Sequence, residues 1–318
     1  MSKKAYALIS KEPDASIVVL KGNGAIECMV SSKTFNVNTV TTNYADFQPG
    51  DLMNPAKDYL SPCGSVLKPV VGELLTDYGL SDEFMVNDTG AITLDTGEII
   101  HNADGTSYGK LTLRNAMVVS SNVFFISAAE QMGPELIEAR YQELRIGEKI
   151  STDFGTISST SVEPDNTYNL AMNTLGQNVG ISTVHLAIIL KAITTGEVVR
   201  PFLIKELTKD ENSIAYGKKD VLARTSASPD TRKAMNSILK DCANSYGLTP
   251  EHTGKQILAK TGTAEVETAS GKKNVATMLL AFPADNPEHF VVIQSRNTEL
   301  RGRNLENIAI SLIKEIKN

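Results

Sequence analysis

Apolar, partly β-branched runs of strand length occur near both ends of this chain, and a long region with helical patterns separates them. Near the start, residues 15–30 contain two such runs around Gly-Asn-Gly, which predicts that the chain opens with a β-hairpin. Near the end, residues 256–260, 275–282 and 289–294 predict three further strands. The sequence therefore predicts one antiparallel sheet to which both chain ends contribute.

The middle of the chain carries helical spacing with recognisable capping residues. The predicted helices cover residues 66–75, 111–132 with an interruption at Ser120-Ser121-Asn122 and a stop at Gly133, 182–196, a segment that begins at Ser228, and 304–317. Two polar stretches, 77–110 and 151–169, are predicted to be loops or small hairpins, and loops of that length often carry function.

These patterns predict the fold class α+β, of the α/β sandwich type, with an antiparallel sheet flanked by helices and a mostly helical subdomain. We expect one domain over residues 1–318. Its sheet subdomain would comprise about 1–60 plus 250–318, and its helical subdomain about 61–249.

Composition removes several classes of function. With 31 Lys plus Arg against 37 Asp plus Glu, the net charge of −6 disfavours a nucleic-acid partner or an anionic membrane surface. No apolar run approaches the ~18 residues of a membrane span. Cys28, Cys63 and Cys242 are far apart and include no C-x-x-C, so neither a disulfide framework nor a metal site is predicted. No cofactor motif is present, and His185 is predicted to be a core or interface histidine.

A lysine can activate a serine that lies one helical turn away, as in the pattern S-x-x-K. The chain contains five matches, which begin at Ser65, Ser107, Ser237, Ser270 and Ser311. Taken singly, each is equally well explained as a surface serine near a lysine.

The order of the motifs selects one match. Lys260-Thr261-Gly262 is the only K-T-G, and of the two S-x-N matches only Ser120-Ser121-Asn122 precedes it, since the other is at 295–297. Ser65 opens an apolar helix, whereas Ser107 lies in a turn-rich stretch. The ordered set is therefore Ser65/Lys68, Ser120/Asn122 and Lys260/Thr261/Gly262.

These three motifs together are the signature of penicillin-binding proteins and class A β-lactamases. From about residue 15 to its end, the chain resembles the transpeptidase domain of a penicillin-binding protein of the class B, monofunctional type. The family's P-G-S-x-x-K-P and K-T-G-T-A correspond to residues 63–69 and 260–264, and segments 175–183 and 282–287 also resemble it. Cys63 stands where the family usually has proline, and Val66-Leu67 and Ala276-Thr277-Met278 also depart from its pattern, which leaves room for altered substrate fit. Cys63 itself is predicted to be a small buried filler, with an exposed thiol as the alternative.

The resemblance implies acyl transfer from a D-Ala-D-Ala peptide. Ser65 would be the nucleophile and Lys68 the general base, kept neutral by the nearby charge of Lys260. Ser120 would pass a proton to the leaving amine, and Asn122 would hold the peptide backbone of the substrate.

The same resemblance implies how the substrate is bound. The hydroxyls of Thr261 and Thr263 would bind its carboxylate, and Gly262 would let the substrate strand approach the sheet edge. The backbone N–H groups of Ser65 and Thr263 would form the oxyanion hole.

Other functions remain open at the level of sequence. A hydrolase is one alternative, either a D,D-carboxypeptidase or a β-lactamase. Glu163 lies where a class A β-lactamase carries its deacylating glutamate, although the surrounding Glu-Pro-Asp-Asn differs from that family and is predicted to be a solvated loop. A β-lactam-binding sensor or scaffold module is the other alternative.

The resemblance also implies partners and a location. Expected partners are peptidoglycan stem peptides, β-lactam antibiotics and other proteins of cell-wall synthesis, with no nucleic acid. The expected location is the extracytoplasmic face of a bacterial membrane, reached through a segment absent from this chain, which we therefore expect to be an excised or naturally shortened domain.

Overall fold

A computed structural model describes residues 1–48, 50–209, 212–269 and 271–316. The helices are α1 (Ser2–Ile9), α2 (Pro55–Asp58), α3 (Lys68–Asp77), α4 (Leu113–Val119), α5 (Asn122–Met132), α6 (Pro134–Glu143), α7 (Thr167–Thr174), α8 (Thr183–Thr195), α9 (Pro229–Ser245), α10 (Pro250–Thr253) and α11 (Glu306–Glu315). Short 3-10 turns cover Tyr44–Asp46, Gly64–Leu67, Ala103–Gly105 and Gly302–Leu305.

The strands are β1 (Ala15–Lys21), β2 (Ile26–Ser31), β3 (Ser61–Pro62), β4 (Val86–Asp88), β5 (Ala91–Thr93), β6 (Ile99–His101), β7 (Gly109–Leu111), β8 (Ile150–Thr152), β9 (Gly155–Ile157), β10 (Ser159–Thr160), β11 (Gly180–Ile181), β12 (Glu197–Val199), β13 (Glu206–Lys209), β14 (Asn212–Tyr216), β15 (Val221–Arg224), β16 (Leu258–Thr268), β17 (Gly271–Phe282) and β18 (His289–Thr298).

A five-stranded antiparallel sheet joins the two ends of the chain, as predicted. Its order is β16-β17-β18-β1-β2, and β1 pairs with β18 from Ala15↔Ser295 to Lys21↔His289. The central strand β18 is buried along most of its length, since it pairs with β17 and β1 at its edges and helix α8 packs on it. Strand β16 lies at one edge, which leaves one side of it available to the cleft described below.

Helix α8 is the central buried helix and packs on the sheet. Its first twelve residues, Thr183–Thr194, are all buried, and it contacts β18, β1 and β17. The side chain of Ser182 caps its start by accepting from the amide of His185, and Gly196 ends it in the left-handed conformation, both as predicted. The prediction of a core histidine is also confirmed, since His185 is fully buried and its Nε2 lies 3.1 Å from the carbonyl oxygen of Leu144.

The other predicted helices are present with shifted boundaries. The first begins as the 3-10 turn Gly64–Leu67 and continues as α3, and the second divides into α4 and α5 at Ser120-Ser121. The last comprises the turn Gly302–Leu305 and α11, and its predicted end at Lys317 lies outside the described residues. The polar stretch 77–110 contains small strand pairs, β4 with β7 and β5 with β6.

The start of the chain differs from the prediction, because helix α1 precedes the hairpin. Only Ala5 and Ile9 of α1 are buried, and two apolar positions four residues apart give too little periodicity for a sequence-based prediction. The helix contacts β2 and α11, and Lys4 forms an ion pair with Glu315. The two ends of the chain therefore also meet outside the sheet.

Candidate active site

A cleft of about 550 Å³ lies between the edge strand β16 and the turn that joins α4 to α5. Six of the eight predicted site residues line it, namely Ser65, Ser120, Asn122, Thr261, Gly262 and Thr263. The other two, Lys68 and Lys260, are almost fully buried behind the lining and direct their amines toward Ser120. The structure therefore brings all eight residues together, although they lie on three separate parts of the chain.

The turn that carries Ser65 is held from two sides. The amides of Cys63 and Gly64 donate to the carbonyl oxygen of Gly176, at 3.0 and 3.1 Å. On the other side, Gly64 packs against Thr263, and a Cβ at Gly64 would lie 2.7 Å from the Thr263 carbonyl oxygen. With a φ of +67°, position 64 favours glycine on both counts. This contact places the backbone of Ser65 beside that of Thr263, as a shared oxyanion hole requires.

Cys63 is fully buried behind this turn, so the prediction of a small buried filler is confirmed. Burial raises the pKa of its thiol to about 12, which keeps it protonated and unreactive at neutral pH.

Lys68 is the first residue of α3 and is fully buried. Its Nζ lies 2.6 Å from the carbonyl oxygen of Ser120, 2.7 Å from Asn122 Oδ1 and 3.5 Å from Ser120 Oγ. Burial, and after it the charge of Lys260, holds the pKa of Lys68 well below its ordinary value, while Asp88 acts in the opposite direction. Such an amine can be neutral at physiological pH and act as a base.

Ser120 occupies the break between α4 and α5 in the left-handed conformation, with φ 60° and ψ 39°. The next residue, Ser121, caps α5 by accepting from the amide of Phe124 at 2.9 Å. The Ser120 hydroxyl lies 2.9 Å from Lys260 Nζ as well as within 3.5 Å of Lys68 Nζ. It is therefore placed to pass a proton along this line of groups.

Lys260 Nζ also donates to the Thr261 carbonyl oxygen at 3.0 Å. Burial lowers the pKa of Lys260 to about 8, and the positive charge of Arg303 acts in the same direction. At neutral pH the Lys260 amine remains mostly protonated. The charged amine of Lys260 on β16 and the more readily neutralised amine of Lys68 on α3 therefore both face the Ser120 hydroxyl.

The structure supplies a further reason for glycine at position 262. A Cβ there would lie 2.5 Å from the Cys63 carbonyl oxygen and 3.0 Å from Val66 Cγ1, so the edge strand packs directly on the Ser65 turn. Next to it, the Thr263 hydroxyl accepts from the amide of Gly302 at 3.0 Å.

Two groups of residues at the cleft escaped the sequence analysis. Arg301 and Arg303 line the cleft, and the guanidinium of Arg301 forms a two-bond ion pair with Asp104 at 2.6 and 2.8 Å. The short sequence Arg-Gly-Arg after the last predicted strand could have identified these two arginines as candidates. Asp88 and Asn102 are buried behind Ser121 and Asn122, and no short-range pattern marks them.

None of the remaining S-x-x-K serines that the structure describes lines the cleft, although Ser107 lies between the lining residues Thr106 and Tyr108. Ser107 donates to the carbonyl oxygen of Asp88, Ser237 accepts from Arg114, and Ser311 donates to the carbonyl oxygen of Asn307. Ser270 lies outside the described residues. Glu163 is exposed in the loop before α7 and does not line the cleft.

None of the described helices combines the length and apolar character that crossing a bilayer requires. The part of the chain that the structure describes contains no group of three or more His, Cys, Asp or Glu side chains that could hold a metal ion.

Residues 15–314 match the family model of the penicillin binding protein transpeptidase domain. The chain therefore belongs to the family of penicillin-binding protein transpeptidase domains, as its three motifs predicted.

Curated relatives agree with this membership. The chain is 26% identical over 200 residues to penicillin-binding protein 3 of Bacillus subtilis, which covers 61% of this chain and 29% of that protein. It is 24% identical over 331 residues to the peptidoglycan D,D-transpeptidase MrdA of Acinetobacter baumannii, which covers 88% of this chain and 47% of that protein. The chain thus spans less than half the length of either relative.

Solved structures show the same fold. Penicillin-binding protein A of Mycobacterium tuberculosis, determined as a ceftriaxone acyl-enzyme complex, superposes with a TM-score of 0.89 at 20% identity, over 98% of this chain and 77% of that chain. The D,D-transpeptidase domain of a peptidoglycan glycosyltransferase from Eggerthella lenta superposes with a TM-score of 0.87 at 20% identity, over 99% and 80%. The predicted α+β fold class is confirmed.

Proposed function

We propose that this chain is a serine D,D-transpeptidase domain that cross-links peptidoglycan stem peptides and is acylated by β-lactams. The observation that carries the proposal is the position of the Ser120 hydroxyl within reach of two buried amines, in the same cleft as Ser65. Family membership, and relatives named for this activity or solved as β-lactam acyl-enzymes, support it.

In the proposed acylation, Ser65 Oγ attacks the carbonyl carbon of the D-Ala-D-Ala bond, and its proton passes to the neutral amine of Lys68. In this structure the Lys68 amine is bonded to the Ser120 carbonyl oxygen and to Asn122 Oδ1, and catalytic hydrogen bonds such as that to Ser65 Oγ commonly form or tighten only when substrate binds. The N–H groups of Ser65 and Thr263 stabilise the oxyanion, and donors of this type contribute about 3 kcal/mol each.

The tetrahedral intermediate then collapses to an ester on Ser65. The leaving D-Ala amine takes a proton from Lys68 through the Ser120 hydroxyl. Asn122 holds the peptide, while the hydroxyls of Thr261 and Thr263 bind the terminal carboxylate. An acceptor amine from a second stem peptide then attacks the ester carbonyl carbon and loses a proton to Lys68. As the ester C–O bond breaks, Lys68 returns that proton to Ser65 Oγ, which regenerates the serine and the neutral amine.

A specific observation favours transfer over β-lactam hydrolysis. Glu163 is exposed outside the cleft, and Asp104, the carboxylate among the described lining residues, is engaged by Arg301. Neither is placed to activate water at the ester, so we expect the acyl-enzyme to be long-lived. The D,D-carboxypeptidase, in which water replaces the acceptor amine, is the remaining candidate.

The proposal extends to organisation and location. We propose a single domain over residues 1–318, with the sheet subdomain, about 1–60 plus 250–318, and the helical subdomain, about 61–249, meeting at the cleft. Work on peptidoglycan requires the extracytoplasmic face of the bacterial membrane, where other cell-wall synthesis proteins would be its partners.

Mass spectrometry of the intact protein with benzylpenicillin tests the assignment. We expect an adduct on Ser65 that persists for many minutes, and none on the control variant Ser65→Ala. Rapid turnover of penicillin would identify a β-lactamase instead, and absence of any adduct on the unaltered protein would refute acylation. Release of D-Ala from a stem peptide, measured with and without an acceptor amine, separates transpeptidase from carboxypeptidase.

A further inference from the structure

The turn Ser120-Ser121-Asn122 is held from behind by a buried polar cluster that none of the three motifs includes. Its centre is Asp88 at the end of β4, whose side chain is fully buried. Asp88 accepts from Asn102 Nδ2 at 2.7 and 2.8 Å, from the amide of Gly90 at 2.8 Å, and from the hydroxyl of Ser121. Only donors converge on it, which matches an ionised carboxylate.

Asn102 connects this carboxylate to helix α5. Because its Nδ2 donates to Asp88 and to the carbonyl oxygen of Thr106, its Oδ1 must face the start of the helix. There Oδ1 accepts from the amides of Asn122 and Val123, at 2.7 and 3.2 Å. The carboxylate thus fixes the orientation of the Asn102 amide, and that amide fixes the backbone at Asn122.

The same cluster determines where the site side chains point. Ser121 is bound to Asp88 on one side and to the amide of Phe124 on the other, so the left-handed residue before it, Ser120, cannot rotate freely. The Asn122 side chain is held by donating to the His101 carbonyl oxygen at 2.8 Å while its Oδ1 accepts from Lys68.

We propose that Asp88, acting through Asn102 and Ser121, is the positioning residue that holds Ser120 and Asn122 in their reactive places and supplies the negative charge behind them. This inference rests on the proposed acyl transfer and adds residues that lie outside its motifs. A buried carboxylate beside the N-terminus of the eleven-residue helix α5 is also favoured by the helix dipole.

The charge of Asp88 has a consequence for the base. Lys260 from β16 and Asp88 from β4 are the charged side chains that act on the Lys68 amine, and they act in opposite directions on its pKa. Removing the Asp88 charge leaves Lys260 unopposed. The pKa of Lys68 then falls further. In a plot of acylation rate against pH, the acid limb, where the rate rises as Lys68 loses its proton, therefore moves to lower pH.

The test measures the second-order rate of Ser65 acylation by benzylpenicillin across pH for the unaltered protein and for Asp88→Asn. This change keeps the side-chain shape, removes the charge and turns one acceptor into a donor that faces Asn102. We expect a loss of about ten- to a hundredfold at the optimum together with the shift of the acid limb. A rate within threefold of the unaltered protein and an unmoved profile would overturn the proposal.

Two variants separate positioning from a general loss of stability. Asp14→Asn removes another buried carboxylate, one that accepts from Arg296 at 2.9 and 3.0 Å next to β1, three strands away from β16. We expect it to lower the melting temperature but to acylate within twofold of the unaltered rate. If both variants lose rate in proportion to their melting temperatures, Asp88 is merely structural and the proposal fails.

The swap Asp88→Asn/Asn102→Asp provides a rescue. It returns a carboxylate to the cluster, placed where it can accept from the amides of Asn122 and Val123, with a donor opposite it. The recovery should be partial, because the swap also removes the amide hydrogen that Asn102 donates to the carbonyl oxygen of Thr106 at 2.8 Å. We expect at least a threefold recovery over Asp88→Asn and a return of the acid limb, and no recovery would count against the proposal.

Should Asp88→Asn not fold, Ser121→Ala provides the second test, because it removes one bond to the carboxylate together with the cap on the amide of Phe124 and keeps the charge of Asp88. We expect it to slow acylation at least threefold, and an unchanged rate would overturn the proposal. Absence of an adduct on the unaltered protein would refute the proposed function instead, so the two failures are distinguishable.

Discussion

The two walls of the cleft are held in place by different kinds of bond. The strand wall, Lys260–Thr263, belongs to β16, which pairs through its backbone with β17 from Leu258↔Ala281 to Thr268↔Gly271. The turn wall, Ser120–Asn122, lies between two helices and depends on side chains of Asp88 and Asn102. Backbone ladders tolerate side-chain substitutions, whereas a side-chain bond disappears with one substitution. We therefore expect single changes to disturb the turn wall more than the strand wall.

The largest expected effect is on the turn wall. Asn122→Ala removes an oxygen that accepts from the buried Lys68 amine at 2.7 Å. Because a buried group that loses its partner costs about 1–3 kcal/mol, we expect acylation by benzylpenicillin to slow by about ten- to a hundredfold with the fold retained.

The matched change on the strand wall is Thr263→Val, which keeps the shape of the side chain. It removes the acceptor of the Gly302 amide and one of the two hydroxyls proposed to bind the carboxylate, while that of Thr261 remains. Strand pairing is unaffected, so we expect a loss below about tenfold. The comparison of the two walls fails if Thr263→Val is the more damaging change in the same rate measurement.

The next effect concerns the one titrating cation of the strand wall. Since the pKa of Lys260 is lowered to about 8, we expect the acylation rate to fall above pH 8, by about tenfold per pH unit. Lys260→Arg keeps the positive charge at high pH. Whatever its absolute acylation rate, the plot of its rate against pH should therefore lack the fall above pH 8.

The contribution of Lys260 to stability should move in the opposite direction over the same pH range. In the unfolded chain the amine returns to its ordinary pKa of 10.5, so between pH 8 and 10.5 unfolding takes up a proton and the free energy of unfolding rises with pH. Urea unfolding at several pH values, compared between the unaltered protein and Lys260→Arg, isolates this contribution, because the buried cysteines with raised pKa values act in the opposite direction in both proteins. A difference in the free energy of unfolding that does not rise with pH would contradict the lowered pKa of Lys260.

A smaller effect tests how closely the strand wall packs on the nucleophile turn. In Gly262→Ala the new Cβ would meet the Cys63 carbonyl oxygen at 2.5 Å, so either β16 or the Ser65 turn must shift. We expect a loss of about 1–3 kcal/mol in the free energy of unfolding, with slower acylation.

Gly22→Ala is the control, because its Cβ would have only ordinary contacts at 3.9 Å with Glu288. Equal stability of the two variants in urea unfolding would show that the close approach at Gly262 is not restrictive.

The smallest effect is expected at two charged residues that line the cleft outside both walls. The ion pair between Arg301 and Asp104 is exposed on both sides. Exposed pairs contribute little and are screened by salt, so Asp104→Asn should change the acylation rate by less than about twofold at 0.15 M salt. A tenfold change in that rate, or one that does not depend on salt, would assign the pair to the substrate site.

The sequence predicted those parts of the fold that follow local rules. The hairpin around Gly-Asn-Gly, the cap at Ser182 and the stop at Gly196 each depend on neighbouring residues, and the sheet follows from apolar runs. The motif residues were found because their order along the chain is distinctive.

The same reasoning could not find Asp88. Its partners Asn102 and Ser121 lie 14 and 33 residues further along the chain, and a polar loop folds in many ways until such side-chain bonds select one. Nor could it show that Lys68 and Lys260 are buried, since burial depends on how α3, α5 and β16 pack together. The lowered pKa of each amine is therefore a tertiary property.

The fully buried thiol of Cys63 gives the molecule a built-in reporter of local opening. Because Cys63 lies two residues before Ser65 and its amide is bound to Gly176, a thiol reagent can reach it only when the nucleophile turn detaches. Labelling of this thiol, followed by mass spectrometry of its peptide, would measure how often that detachment occurs. Slower labelling after acylation would show that an inhibitor bound to Ser65 also reduces how often the nucleophile turn detaches.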